Sequence, residues 1–426
     1  MGEAFANAHL GLIDVQVVPI LAGLLWLAGQ PSPRVQITEI IDFQGDGAGN
    51  FLENPGGVAV DDMGNVYVAS AFGSANVFRI APDGTITKIL DSTGGGAGQA
   101  LSGPFDIAVD HLGNVFVPGV FSSNVFKVTP EGAVSIVIDA RGDHNVARLD
   151  GANGVAVDAD GNLYVTGEFS HNAFRVTPGG TIARIIDAAG DRVAQMLRRP
   201  YGIAADAFGN VYVVGRESNN GFQIAPGGTI TAVIDATGDG QGAALAAPGD
   251  VAVDPSGNVF VTSSGGTNYV FGITPGGLIL PIINGSGDGA GNLLVGPRGV
   301  AADAAGNVYV ASAGSNNAFR ITPEGEIVEI IDENGDGLGA TLGSPEDYSV
   351  AVDGFGNVYV SGFLTHNVFR ITFCDDRQGL ERFAALAGCL SGPEGMSPEC
   401  FCLDLDGDSR VDLFDFASLQ TGFTGD

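Results

Sequence analysis

The chain has 426 residues, 67 of them glycine, with 45% hydrophobic and only 16% charged residues, a balance that allows a large core and excludes disorder over most of the length. Its 49 Asp and Glu against 18 Lys and Arg give a formal charge of −31, a field that repels phosphate backbones and anionic membrane surfaces and makes nucleic acid a poor partner. Asp at turn positions is the plain source of this acidity, and a dedicated cation-binding surface is the alternative.

Residues 15–29 (VQVVPILAGLLWLAG) form an apolar run with the length of an export signal, too short to span a membrane comfortably. No Lys or Arg precedes Arg34 and Asp14 stands just before the run, so the basic stretch of such a signal is missing; a packed N-terminal helix is the alternative. Residues 1–34 are read as an export signal and linker, which places the protein outside the cell or at its surface.

Between Gly57 and Thr372 one pattern returns: an apolar strand, Asp-x-x-Gly-Asn, a second apolar strand, a polar loop ending in Asn, an aromatic strand, Pro-x-Gly and a last apolar strand. The turn aspartates are Asp61, Asp110, Asp158, Asp206, Asp254, Asp303 and Asp353, spaced by 48 to 50 residues. Seven copies at a nearly fixed period mean an array or a propeller. Each copy offers four strand segments, as at 58–60, 66–68, 77–80 and 86–89, and four antiparallel strands make one propeller blade. The seventh copy ends one strand short, whereas Ile-Thr-Glu-Ile-Ile-Asp at 37–42 matches Ile-Thr-Lys-Ile-Leu-Asp at 86–91. An N-terminal strand therefore completes the last blade and removes the free edges of an open array. The expected fold is all-β: a seven-bladed β-propeller of four-stranded blades over residues 35–372, followed by a small α-helical calcium-loop module over 373–426.

The segments Gly-Asp-Gly-Gln-Gly at 238–242 and Ala-Pro-Gly-Asp-Val-Ala-Val-Asp-Pro-Ser-Gly-Asn-Val-Phe-Val at 247–261 resemble the glycine-rich linker and the signature of the NHL repeat family. The resemblance implies a propeller, with seven blades where that family commonly has six. It does not imply one function, because function varies widely across the fold.

In a propeller, the loops leading into each inner strand and those between second and third strands share the face around the channel mouth. The repeat places Asp106, Asn153, Tyr201, Asp250, Arg298 and Asp347 at matching positions before the inner strands, and the second loop set adds Glu168, His171, Arg216, Glu217 and His366. Of these, Asp106, Asn153, Glu168, Tyr201, Arg216, Asp250, Arg298 and Asp347 are the expected ligand-binding residues, for a protein or carbohydrate ligand on a non-catalytic face. Acidic, Asn and His groups at a channel mouth can also hold a divalent cation. In that respect the chain is similar to gluconolactonase-like and streptogramin-lyase-like propellers, which implies the alternative of a metal-dependent lactonase or lyase. No catalytic Ser-His-Asp set, phosphate-cradling loop or redox Cys pair is evident, so no catalytic residue is assigned. The Asn recurring at 76, 124, 172, 220, 268, 317 and 367 is read as a backbone cap. The Asp- and Gly-rich linkers at 235–240 and 332–337 are read as turns in preference to calcium sites, because no bidentate acid follows at a fixed distance.

At the C-terminus, Asp404, Asp406, Asp408, Asp412 and Asp415 fall at positions 1, 3, 5, 9 and 12 of a loop, with the Arg410 carbonyl at position 7. Such an oxygen cluster suits calcium. The pattern resembles the calcium loop and helix of dockerin domains, and a degenerate earlier copy is visible in which Phe373, Gly379 and Arg382 replace Asp406, Asp412 and Asp415. The resemblance implies one bound calcium and a cohesin-like or cell-surface partner. Cys374, Cys389, Cys400 and Cys402 are the chain's only cysteines. They read as disulfides formed in an oxidising compartment, with pairing open and a zinc site as the rival. The expected state is a monomer without a membrane span.

Overall fold

Each Asp-x-x-Gly-Asn segment folds into a hairpin turn organised by its own aspartate. In the computed structural model, which describes residues 35–346 and 349–373, Asp61 Oδ1 accepts the backbone N–H groups of Met63 and Asn65 at 3.0 and 2.8 Å. Its Oδ2 accepts Asn65 Nδ2 at 2.8 Å and the Tyr67 hydroxyl at 2.9 Å. Gly64 sits at φ +80°, a left-handed conformation that a side chain would strain. The Asn side chain meets the Asp carboxylate at 2.7–2.8 Å in the other six copies as well.

These turns connect a regular succession of strands. Strand β1 (Val35–Ile41) comes first and is followed by the first blade, β2 (Pro55–Val60), β3 (Val66–Ser70), β4 (Val77–Ile80) and β5 (Ile86–Leu90). Five further four-stranded blades run from β6 (Ala108–Val109) to β9 (Val134–Ile138), β10 (Ala152–Val157) to β13 (Ile182–Ile186), β14 (Pro200–Ala205) to β17 (Ile230–Ile234), β18 (Val251–Val253) to β21 (Ile279–Ile283) and β22 (Pro297–Ala302) to β25 (Ile327–Ile331). The seventh consists of β26 (Val350–Val352), β27 (Val358–Gly362) and β28 (Asn367–Phe373), with β1 as its fourth strand beside β28. The described residues thus form an all-β seven-bladed propeller with one short 3₁₀ turn at Gly94–Gly96. The expected helical calcium module and the apolar run at 15–29 lie outside the described residues.

The core lies between the blades. One third-strand phenylalanine per blade, Phe78, Phe126, Phe174, Phe222, Phe271, Phe319 and Phe369, is completely buried, each ring contributing roughly 1.5–3 kcal/mol of burial. Tyr67, Ala69 and Val77 of the first blade share one cluster with Val115, Val117 and Phe126 of the second. No blade can bury its faces alone, so the ring must close. At the seam, Asn367 Nδ2 donates to Glu39 Oε1 at 2.8 Å, repeating the 2.7 Å bond from Asn317 to Glu329 inside the sixth blade.

The recurring Asn caps the preceding linker: Asn76 Nδ2 donates to the Phe51 carbonyl at 3.0 Å, and Asn124, Asn172, Asn220, Asn317 and Asn367 cap Ala100, Arg148, Met196, Leu293 and Thr341. Asn268 departs from that reading. Tyr269 pairs with Ser263 as Asn317 pairs with Ser312, so Tyr269 holds the cap position and Asn268 lies one residue earlier. It belongs to a column of left-handed residues that latch one blade to the linker of the next. His171 Nδ1 accepts the Arg199 N–H at 3.0 Å, Asn219, Asn268 and Asn316 accept those of Ala247, Gly296 and Ser344, and His366 Nδ1 accepts that of Asn54 at 2.8 Å across the seam.

His366→Asn is expected to keep the stability of the parent, because Asn serves the same latch in three other blades. His366→Leu leaves the Asn54 N–H without its acceptor and should cost about 1 kcal/mol or more; denaturant unfolding of the two variants checks both outcomes.

Candidate functional site

Neighbouring inner strands approach until backbone meets backbone. The Gly57 N–H donates to the Phe105 carbonyl at 2.7 Å and the Gly202 N–H to that of Gly249 at 3.2 Å. A Cβ at Gly57 or Gly202 would lie 2.7 Å from the Cα of Asp106 or Asp250, which excludes any side chain there. Between the second and third blades and between the fifth and sixth, an aspartate makes the bridge instead. Asp106 Oδ1 accepts the Ile107 N–H and its Oδ2 the Val155 N–H, both at 2.7 Å; Asp250 accepts Val251 at 2.8 Å and Val300 at 3.0 Å. Burial pushes the Asp106 carboxyl up to about 7, against the two amide hydrogen bonds that pull it down.

This geometry revises the matching of residues before the inner strands. Strand pairing sets Val58, Val155, Ile203, Val251 and Val300 level with one another, opposite Val68, Val165, Val213, Val261 and Val310. Asp250 therefore shares a column with Gly57, Gly154, Gly202 and Gly299, and Asp106 precedes Ile107 in the same way. Asn153, Tyr201 and Arg298 lie one residue earlier, level with Phe105. A slip of one residue turns a side chain to the opposite face; the joint residues stand four before each turn aspartate, and Asn153, Tyr201 and Arg298 stand five before theirs. Asp347 lies outside the described residues.

The earlier column and the loops after the second strands enclose a cavity of about 380 Å³ at the channel mouth. One wall is aromatic: Phe72, Phe105, Phe121 and Phe363. Phe72 meets Phe105 at 5.0 Å and Phe363 at 5.9 Å, edge to face, and Phe105 meets Phe121 at 6.1 Å, the offset geometry that aromatic quadrupoles favour. The other wall is mainly polar, with Asn153, Glu168, Arg199, Tyr201, Arg216, Arg298 and Glu346, and includes Phe169, whose ring centre lies 5.7 Å from the Arg199 guanidinium. Arg199 binds Glu168 Oε1 through Nη2 and through Nε at 3.0 Å, and Asn153 Nδ2 donates to Glu168 Oε2 at 2.9 Å. The Arg216 guanidinium lies 4.6 Å from the centre of the Tyr201 ring, a cation–π contact. Arg298 pairs with Glu346 at 3.3 Å.

Of the residues expected to bind ligand, the structure gathers Asn153, Glu168, Tyr201, Arg216 and Arg298 around this cavity. It places Asp106 and Asp250 at the blade joints, His171 and His366 in latches, and Glu217 beside Arg199. The sequence reading missed Arg199, Glu346 and the whole aromatic wall. A signal for that wall existed: Phe72 and Phe121 occupy the same loop position in successive copies, two residues after β3 and after the strand at Val115–Gly119. The linkers are turns as expected, with Asp239 accepting the Gln241 and Ala243 N–H groups and Asp336 those of Leu338 and Ala340. Among the described residues no three His, Cys, Asp or Glu side chains converge as metal ligands, and no helix is long and apolar enough to cross a membrane. The aspartates from Asp404 to Asp415 and the four cysteines lie outside the described residues.

Fold and site together define a seven-bladed β-propeller with a two-walled cavity at its channel mouth. Solved structures of similar architecture include a streptogramin B lyase, 15% identical with a TM-score of 0.59 over 80% of this chain and 98% of that one. A virginiamycin B lyase from Staphylococcus aureus is 16% identical, with a TM-score of 0.60 over 80% of this chain and all of the other. The extracellular domain of a one-component system from B. thetaiotaomicron is 12% identical, with a TM-score of 0.54 over 80% of this chain and 40% of that one. At these identities the likeness is one of fold. No family model matches the chain, and no curated protein matches it.

The Asp106 carboxyl, raised in the folded state from the ordinary 3.8 to about 7, takes up a proton on folding. Its contribution is full below the unfolded value and is lost as the pH rises through 7. Lowering the pH from 8 to 5 should therefore widen the gap in Tm between the parent and Asp106→Asn, as thermal unfolding across that range measures. A constant gap would show that the carboxylate stays ionised.

Proposed function

We propose that the propeller is a binding module, not an enzyme, and that its cavity receives an aromatic or other apolar group of a protein ligand together with an acidic group. The observation that carries this reading is the division of one cavity into a phenylalanine wall and an arginine-bearing wall. Phe72 and Phe121 are 43% and 59% exposed, so apolar surface faces the cavity that a ligand ring would cover at roughly 25 cal/mol per Å². The polar wall carries Arg199, Arg216 and Arg298 in a chain whose net charge is −31.

Binding is favoured over the alternative of a lactonase or lyase by the state of the two carboxylates. Both Glu168 oxygens are engaged by Arg199 and Asn153, and Glu346 is held by Arg298 and by the Ser344 hydroxyl at 3.2 Å. A general base needs an oxygen within reach of the substrate proton. The C-terminal segment completes the reading: Asp404, Asp406, Asp408, Asp412, Asp415 and the Arg410 carbonyl hold calcium in a dockerin-like module that anchors the propeller to a cohesin-like or other cell-surface partner outside the cell.

Two measurements test this. Calorimetric titration with 3-phenylpropionate, a minimal aromatic carboxylate, should show binding to the parent that Phe121→Ser weakens about tenfold; no binding to the parent removes the cavity reading. Elemental analysis of the full chain after calcium loading and dialysis should find one calcium per chain, absent from Asp404→Ala. Calcium retained by that variant would place the ion elsewhere.

A further inference from the structure

We propose that a second binding site lies between the second and third blades, where the Lys127 ammonium stands in a partly apolar cavity, and that its ligand is a monocarboxylate with an apolar chain. This cavity is separate from the one at the channel mouth and shares no lining residue with it.

The site arises where the repeat is broken. In the first, third, sixth and seventh blades a second-strand tyrosine pairs across the sheet with a third-strand arginine: Tyr67 with Arg79, Tyr164 with Arg175, Tyr309 with Arg320 and Tyr359 with Arg370. Each of these tyrosine hydroxyls donates to its turn aspartate, and each arginine Nε is buried. The second blade carries Phe116 and Lys127 in that pair, and the fourth carries Tyr212 and Gln223. Cavities of about 590 Å³ and 460 Å³ open beside Lys127 and Gln223, within the size range of small-molecule sites. A lysine lacks the planar guanidinium that an arginine lays against its surroundings, so the exchange leaves space in the groove.

Strand pairing fixes where Lys127 points. Directly opposed residues of an antiparallel pair share one face of the sheet, and on that face Phe116 packs with Leu163, Phe174 and Val176 of the third blade. Lys127 Nζ lies 5.6 Å from the centre of the Phe116 ring. It has no hydrogen bond or ion pair among the described residues and, unlike the arginine Nε atoms, is open to solvent. The chain's other lysine, Lys88, is paired with Asp91 at 3.0 Å. Two carboxylates also line the cavity. Both oxygens of Asp110 are engaged in its own turn, by the Leu112 and Asn114 N–H groups and by Asn114 Nδ2, and Asp160 is an exposed residue whose charge water and salt screen. The exposed His111 and His144, which line it too, present no negative charge. The half-buried Lys127 is therefore the charge that a ligand meets beside the apolar side chains of Phe116, Leu163, Val176 and Ile182. An apolar chain covers those side chains while a carboxylate accepts from Nζ.

The test compares hexanoate, 1-hexanol and hexylamine by calorimetry on the full chain. Hexanoate should bind the parent about tenfold more tightly than 1-hexanol, and hexylamine more weakly than either. Lys127→Met keeps an unbranched apolar side chain and loses the charge, and should remove the preference for hexanoate over 1-hexanol. The double variant Phe116→Tyr, Lys127→Arg restores the pair that four other blades carry, so the fold accommodates it; its arginine should occupy the groove and weaken all three compounds. Tighter binding of hexylamine than of hexanoate would assign the cavity to Asp110 and Asp160 and overturn the proposal. A preference for hexanoate that survives in Lys127→Met places the carboxylate elsewhere and overturns it too, as does undiminished hexanoate binding in the double variant. Failure of hexanoate to bind the parent ends it outright.

Discussion

The backbone contact between neighbouring inner strands is the constraint on which the rest of the molecule depends. With the Gly57 N–H 2.7 Å from the Phe105 carbonyl, that column holds small or joint-forming residues: glycine in four blades, Ser349 in the seventh, and Asp106 and Asp250, whose side chains take part in the joint. Asp106 and Asp250 are of the second kind, and they reverse the joint: an N–H of the next blade, from Val155 or Val300, donates to the carboxylate of the earlier one. The cost of burying the charge appears in the raised Asp106 carboxyl, offset by two amide donors. Because side chains alternate along a strand, closing the joint at one column turns the residue before it toward the channel mouth. Phe105, Asn153, Tyr201 and Arg298 line the cavity for that reason.

The acidity of the chain has a similarly local origin. Seven turn aspartates each hold the backbone and Asn side chain of their own hairpin, and linker aspartates such as Asp143, Asp191 and Asp239 hold theirs. The net charge of −31 is thus largely the sum of turn chemistry repeated around the ring. It slows the approach of an anion at low salt, but beyond about 8–10 Å it is screened at physiological ionic strength.

The blades were legible in the sequence because they rest on local signals: a glycine required at φ > 0, an aspartate that caps its own turn, and apolar alternation at a fixed period. The closing strand was legible too, since residues 37–42 match residues 86–91 at the outer edge of a blade. The site was legible only in part. Blade-joint residues stand four before each turn aspartate, as Gly57 before Asp61, Asp106 before Asp110 and Asp250 before Asp254, so matching Asp106 and Asp250 with Asn153, Tyr201 and Arg298 was a slip of one residue that exchanges the cavity wall for the joint. That slip put Asp106 and Asp250 among the ligand-binding candidates and hid Phe105; a loop one residue longer between Ser263 and Tyr269 than between Ser312 and Asn317 set Asn268 in the column of caps. The Asn153, Glu168 and Arg199 network had no sequence signature, because Glu168 and Arg199 belong to two different blades.

Ring closure completes the cavity. Phe363 belongs to the seventh blade and Phe72 to the first, and their rings meet at 5.9 Å only because β1 pairs beside β28 and brings those blades together. The seam adds the Asn54 N–H to His366 Nδ1 and the Ser361 hydroxyl to the Gly56 carbonyl, contacts that join positions more than 300 residues apart. Such pairings carry the largest loop-closure entropy in the chain and form after the local hairpins. An open array could fold every blade hairpin and still lack Phe363 from the aromatic wall, whereas Phe72, Phe105 and Phe121 need only the first two blades in contact, the Asn153, Glu168 and Arg199 network only the third and fourth, and the Arg298–Glu346 pair only the sixth and seventh. Each wall is therefore assembled from pairs of neighbouring repeats, and ring closure adds the last aromatic ring.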